Sequence, residues 1–261
     1  MAEDLGRPAA GRETGPAPAA RETRPTPSRS HRLLSVIVPV YNERNTVAEI
    51  LRRMRSVDLP VDLEVVVVDD GSTDGTDKVL AALEDSTVRL VRHAANRGKA
   101  AAVRTGLEHA RGQLVLIQDA DLEYDPEDWP RLLDPVLKGK ARVVYGSRFR
   151  GERMTMPLQR WVSNRALAMA TSLIYNRTVS DVETCYKLFD RSVLDRLRLE
   201  SERFEIEAEL TAKVLRLGYG IYEVPISFAG RAPAEGKKFT GRDSLRSLRA
   251  LVRYRFSPPE A

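Results

Sequence analysis

From Leu33 onward, short unbroken apolar runs alternate with stretches in which apolar residues recur every three or four positions. The runs LLSVIVPVY, LEVVVVDD, TVRLVRH and QLVLIQDAD predict strands, and the intervening NTVAEILRRMRS, GTDKVLAALED and KAAAVRTGLEHAR predict helices. Runs such as VVVV and LVLI suit strands covered on both faces, so the alternation predicts an α/β domain built on a doubly wound, mostly parallel sheet. Beyond Pro126 the pattern predicts a helix over 127–137, a strand at ARVVYGSRF and a longer helix from Pro157 to Tyr175. On that helix Leu158, Trp161, Val162, Ala166, Met169, Ala170, Leu173 and Ile174 make one broad apolar face, to be covered by the core or by lipid. A basic amphipathic helix, Asp243 to Phe256, comes last.

Residues 1–31 are rich in Pro, Gly, Ala, Arg and Glu with almost nothing to bury, and are expected to form a disordered tail. That divides the chain into a tail (1–31), one α/β domain (32–241) and a basic amphipathic end (242–261). The single cysteine, Cys185, excludes an internal disulfide and a cysteine-based zinc site, and the three histidines are scattered. A net charge of +5 points to an anionic partner such as phosphate, nucleic acid or an acidic membrane surface without choosing among them. There is no apolar run of membrane-spanning length and no apolar core of a secretion signal, so a cytoplasmic protein with at most peripheral membrane contact is expected.

A doubly wound sheet gathers its site at the carboxyl ends of its strands, and polar residues stand where that rule puts them. Tyr41, Asn42 and Glu43 close the first strand, Asp69 and Asp70 the second, Asp119 and Asp121 the fourth. Asp119, Asp121 and Glu123 offer hard oxygen ligands to Mg²⁺ or Mn²⁺, an ion that also holds substrate phosphates; the competing possibility is a solvated acidic loop opening a helix. In VVVVDDGSTDGT, Asp69 or Asp70 can accept hydrogen bonds from a nucleobase or ribose, while Thr73 or Asp74 caps the next helix. NRGKAAAVRTG places Arg97 and Lys99 at a helix start suited to a diphosphate. Later cations, Arg148, Arg160, Arg231, Lys237 and Lys238, include a Gly-rich stretch, GRAPAEGKKFTGRD, fit for a loop closing over a phosphate-bearing substrate.

SVIVPVYNE, VVVVDDGSTDGT, NRGKAAAVRTG, QDADLE, YGSRF, DVETCYKLF and YEVPISFAGRAPAEGKK together resemble the dolichyl-phosphate mannose and glucose synthases, inverting family-two glycosyltransferases, over Leu33 to Phe239. The resemblance implies a glycosyltransferase-A fold and transfer of a hexose, from UDP-glucose or GDP-mannose, to a polyprenyl phosphate with inversion. The partners expected are then a nucleotide sugar, a polyprenyl phosphate and a membrane surface, and no nucleic acid. It implies that Pro39, Tyr41, Glu43 and Asp69, with Asp70 and Lys99 beside them, hold the nucleotide, and that Asp119, Asp121 and Glu123 hold the metal. Arg148, Arg160, Arg231 and Lys237 or Lys238 would meet the acceptor phosphate or the departing diphosphate, with Asp121, Arg148 and Arg231 closest to the chemistry. A phosphate acceptor is already anionic near neutral pH, so cations rather than a strong base are required.

Ala100, Gln113 and Glu123 depart from the residues common in that family, and none of its C-terminal membrane helices follows in this sequence. DVETCYKLF and AEGKK lie nearer the glucose type. Two alternatives remain: a hydroxyl acceptor on the same fold, and a nucleotide-sugar-binding module without turnover.

Overall fold

The computed structural model describes residues 32–83, 85–151, 156–203, 205–230 and 241–257; the tail expected over 1–31 lies outside them. One sheet is formed by β1 (Leu33–Val40), β2 (Asp62–Asp69), β3 (Val88–Arg92), β4 (Leu114–Ile117), β5 (Val143–Ser147), β6 (Lys187–Asp190) and β7 (Tyr222–Pro225). Their order is β3-β2-β1-β4-β6-β5-β7. Every pairing is parallel except those of β6, which runs antiparallel between β4 and β5. The helices are α1 (Val47–Ser56), α2 (Thr76–Ala81), α3 (Lys99–His109), α4 (Trp129–Leu137), α5 (Leu158–Tyr175), α6 (Arg191–Leu194), α7 (Ile206–Arg216) and α8 (Gly241–Phe256).

The apolar runs of β1, β2 and β4 are covered on both faces as expected, whereas β3, at the edge of the sheet, has no buried residue and leaves Leu90 exposed. In β2, Val65 and Val67 join the main core, whereas Val66 and Val68 pack on the other side with Ala102 and Ala110. Helix α1 shows why the amphipathic stretches dock: Val47, Ile50, Leu51 and Met54 share the buried face, and Arg53 and Arg55 complement the carbonyl end. Pro39 tolerates a central strand because β1 pairs with β4 only as far as Ile37, so its missing N–H lies beyond that ladder.

Three elements escape the hydrophobic pattern. β6 and β7 are four residues long, and α7 buries Glu207, Glu209 and Lys213 among its apolar side chains.

On α5 the packing is the reverse of a core helix. It buries Asn164, Leu167, Ala168 and Thr171, while Leu158, Trp161, Val162, Met169 and Leu173 stay exposed. Helix α8 lies beside α5: Ser163 Oγ donates to Ser244 Oγ at 2.8 Å, Tyr175 Oη to the Leu251 carbonyl at 2.7 Å and Arg255 Nε to the Ile174 carbonyl at 3.2 Å. Ser247, Ala250, Leu251 and Tyr254 are its buried positions, and Leu245, Val252 and Phe256 are exposed.

Candidate active site

A cavity of about 330 Å³ opens at the carboxyl ends of β1, β2 and β4. Pro39, Tyr41, Glu43, Asp70, Lys99, Asp119, Asp121, Glu123, Arg148 and Arg160 all line it, so residues from distant parts of the sequence meet as the strand-end rule predicts. Arg231, Lys237 and Lys238 lie outside the described residues.

Asp69 is the exception. It is fully buried, away from the cavity wall, and accepts hydrogen bonds from the Ser72 amide (2.9 Å) and Arg92 Nε (3.1 Å). Its side chain braces the turn after β2, so it stands behind the cavity wall where the resemblance would place it against a nucleoside. Asp70 borders the cavity and ties down the start of α3, accepting from the Arg97 and Gly98 amides at 2.9 and 2.8 Å, with His93 Nδ1 2.7 Å away. These two amides precede the first residue of α3, Lys99, and hold the loop that leads into it. Gly98 is required at this crossing: its φ is +91°, and a Cβ would meet the Glu202 carbonyl oxygen.

The acidic turn after β4 is held from both sides. Leu122 takes the left-handed conformation, φ 61°, an uncommon choice for a bulky residue that lets the chain reverse between Asp121 and Glu123. The Glu123 amide donates to Asp121 Oδ1 at 3.1 Å. On the far side the Ala229 amide donates to the Glu123 carbonyl (3.0 Å), and the Ser227 amide to Asp128 Oδ2 (2.6 Å). Cations balance the carboxylates: Lys99 Nζ stands 2.8 Å from Asp119 Oδ1 and 3.0 Å from Glu207 Oε1, and Arg160 stands 3.8 Å from Glu123. Burial alone would push the Lys99 ammonium down, but Asp119 and Glu207 outweigh it and hold the pKa well above the ordinary lysine value.

Arg148 is 2 % exposed, and its fork grips Asp181, Nε to Oδ2 and Nη2 to Oδ1, both at 2.7 Å. Its side chain is thus a fixed positive wall rather than a mobile finger. Phe228 carries both guanidinium groups, with Arg148 5.2 Å and Arg160 5.4 Å from the ring centroid. Glu183 also lines the cavity; burial pushes its carboxyl up to about 7, against the lowering pull of Arg148.

Glu183, Asp181, Arg203 and Glu207 were not singled out from the sequence. Glu207 sits in a helix whose buried charges hide its periodicity; DVETCYKLF did carry Asp181 and Glu183, without marking their roles.

Among the described residues no group of three or more His, Cys, Asp or Glu is arranged to hold a metal, so the expected set of Asp119, Asp121 and Glu123 is not gathered into one cage. Glu123 is turned to Arg160. Two neighbouring carboxylates facing a cavity still fit Mg²⁺ or Mn²⁺, which bind through one or two carboxylates and complete their shell with water and substrate phosphates.

The profile described as "Glycosyl transferase family 2" matches residues 35–198. The chain belongs to glycosyl transferase family 2. Within that family it is 33 % identical over 212 residues to the undecaprenyl-phosphate 4-deoxy-4-formamido-L-arabinose transferase of Pseudomonas aeruginosa, a match covering 78 % of this chain and 60 % of that protein. The protein of the same name from Pseudomonas fluorescens is 32 % identical over 209 residues, covering 78 % and 59 %. The chain thus spans about three fifths of the length of these curated relatives. In fold it is similar to glucosyl-3-phosphoglycerate synthase of Mycobacterium tuberculosis, with a TM-score of 0.68, 24 % identity, and 87 % and 82 % of the two chains covered. The glycosyltransferase-A architecture expected from the resemblance is borne out, with β6 as the antiparallel member of a mostly parallel sheet.

Proposed function

We propose that this family-two glycosyltransferase moves a sugar from a nucleotide donor to a polyprenyl phosphate, with inversion and with Mg²⁺ or Mn²⁺. The single observation that carries the reading is the meeting, in one cavity, of Asp119 and Asp121 with the cations Lys99, Arg148 and Arg160. The curated relatives supply the acceptor class, undecaprenyl phosphate. A hexose donor, UDP-glucose before GDP-mannose, follows from the likeness of DVETCYKLF and AEGKK to the glucose-type synthases.

The residues have the following parts. Pro39, Tyr41 and Glu43 form the wall for the nucleoside, with Asp70 fixing the loop opposite. Asp119 and Asp121 would hold the divalent ion, which neutralises charge on the donor diphosphate when bound. Arg148, locked by Asp181, and Arg160, seated on Phe228, present fixed positive charge where two anions must be brought together. Because the attacking oxygen is a phosphate oxygen, proton removal is not the difficulty; charge repulsion is. Arg231 and Lys237 or Lys238 would add cations from the segment that follows β7.

Access to a lipid acceptor comes from α5. Its first turn carries Arg160 into the cavity, and the same helix leaves Leu158 73 %, Met169 64 % and Leu173 77 % exposed. The two helices run side by side in the same direction, since Ser163 meets Ser244 and Tyr175 meets Leu251. With their buried positions on the same domain, helical spacing turns the stripe 158–162–169–173 and the stripe Leu245–Val252–Phe256 to one outer side. α5 has no acidic residue, and α8 adds Arg246, Arg249, Arg253 and Arg255. This composition suits the surface of an anionic bilayer, a peripheral cytoplasmic location and an acceptor phosphate presented at the membrane surface. No helix among the described residues is long and apolar enough to cross a membrane.

The test is transfer of radiolabel from nucleotide sugars to polyprenyl phosphate in the presence of Mn²⁺. Label in the organic extract, lost in Asp121→Asn, is expected; transfer only to water-soluble hydroxyl acceptors would replace this reading with the hydroxyl-acceptor one.

A further inference from the structure

Lys99 and Glu207 form an arrangement that goes beyond the positive charge Lys99 lends the cavity. Lys99 Nζ is 2.8 Å from Asp119 Oδ1 and 3.1 Å from Oδ2, so one ammonium covers both oxygens of the first aspartate in the acidic turn. An ion coordinated at about 2.1 Å to either oxygen would stand within about 5 Å of that ammonium, and the two positive charges would repel.

A second position for the ammonium is already built. Glu207 Oε1 lies 3.0 Å from Lys99 Nζ, yet this buried oxygen accepts no hydrogen bond. The other oxygen, Oε2, is held at 2.5 Å by Lys187, a fully buried lysine that also donates to the carbonyls of Val182 and Thr184. Lys187 therefore neutralises Glu207 whichever way Lys99 turns. A short rotation of the Lys99 side chain would turn the 3.0 Å ion pair with Glu207 Oε1 into an aligned hydrogen bond and uncover Asp119, in a cavity that both groups line.

We infer that Lys99 is a resident counter-cation that competes with the divalent ion for Asp119, and that Glu207 receives it when the ion binds. This rests on the reading that Asp119 is a metal ligand. Metal would then bind poorly to the protein alone and well with a nucleoside diphosphate, whose added negative charge favours both the ion and the displaced ammonium. Lys99 and Glu207 are positioning residues in this account; their effect passes through Asp119.

Titration of the full chain with Mn²⁺ alone, reading free Mn²⁺ by electron paramagnetic resonance, tests it without any turnover. Lys99→Met should bind Mn²⁺ at least about tenfold more tightly than the parent in the absence of nucleotide. Glu207→Gln, which leaves Lys99 with Asp119 as its sole ion-pair partner among the described residues, should bind it more weakly. With UDP or GDP added, the parent should gain more affinity than Lys99→Met. If the parent holds Mn²⁺ with nucleotide but Lys99→Met is no tighter than the parent without it, the competition is refuted while the metal assignment stands. Should Lys99→Met fail to fold, a Glu207→Gln protein with equal or tighter Mn²⁺ binding refutes it instead. If no form binds Mn²⁺ with either nucleotide, the metal assignment itself is overturned.

Discussion

The cavity at the strand ends and the outer face of α5 and α8 handle their side chains in opposite ways. At the cavity many charges face a complementary one, in its lining or just behind it: Asp119 with Lys99, Glu123 with Arg160, Asp181 with Arg148, Glu207 with Lys187. On the helical face large apolar groups stand in the open, Leu158, Met169, Leu173 and Phe256 among them. Buried charges are retained at a cost that hydrophobic residues would not incur, and exposed apolar stripes bring a risk of association, so neither arrangement is explained by folding stability. The first gathers paired charges at the strand ends and the second leaves large apolar groups in the open, and α5 belongs to both.

The largest effect should come from the cavity. Asp121→Asn is expected to lower kcat/KM for labelled transfer on the order of 10³-fold, with an unchanged melting temperature. Full activity in that variant would move the chemistry elsewhere. Next in size, Arg148→Met leaves Asp181 buried without its partner and should cost about 3 kcal/mol in urea denaturation; adding Asp181→Leu should recover much of the stability and none of the activity.

The helical face should respond in the reverse sense. Leu158→Gln with Leu173→Gln should weaken association with anionic vesicles about 10- to 100-fold, while shifting the urea midpoint by no more than about 0.5 kcal/mol in stability terms. A large loss of stability would mean that the stripe packs on protein instead.

The smallest effect is a pH slope. Glu183 has a folded pKa raised by burial from the ordinary 4.5 to about 7. In this window the folded form binds the extra proton, so its contribution to stability falls as pH rises from 4.5 and is fully lost above about 7. Between pH 6 and 7 the parent should lose up to about 1.4 kcal/mol relative to Glu183→Gln, measured as the difference between two denaturation series.

The same contrast governs what could be read from the sequence. β1, β2 and β4 are legible because both of their faces are buried, which writes an unbroken apolar run. The acidic strand tips are legible because they interrupt such runs. Side-chain direction is not: Asp69 and Asp70 are adjacent, yet one braces a turn and the other borders the cavity. Glu207 is opaque because its partners, Lys99 and Lys187, come from α3 and β6. The apolar stripe of α5 was plain in the sequence, but whether core or solvent would meet it depended on Asn164 and Thr171 taking the inward positions.

The placement of β6 also bears on how the protein is made. Leu114 of β4 pairs with Asp190, so during synthesis β4 shows an open hydrogen-bonding edge until the chain has grown past β6, more than seventy residues later. The N-terminal strands can associate early, but the sheet is sealed by a late arrival that also seats β5, the strand leading into Arg148. Nascent chains stalled before residue 187 should therefore be the aggregation-prone species, and holding that edge until closure is a task suited to a chaperone.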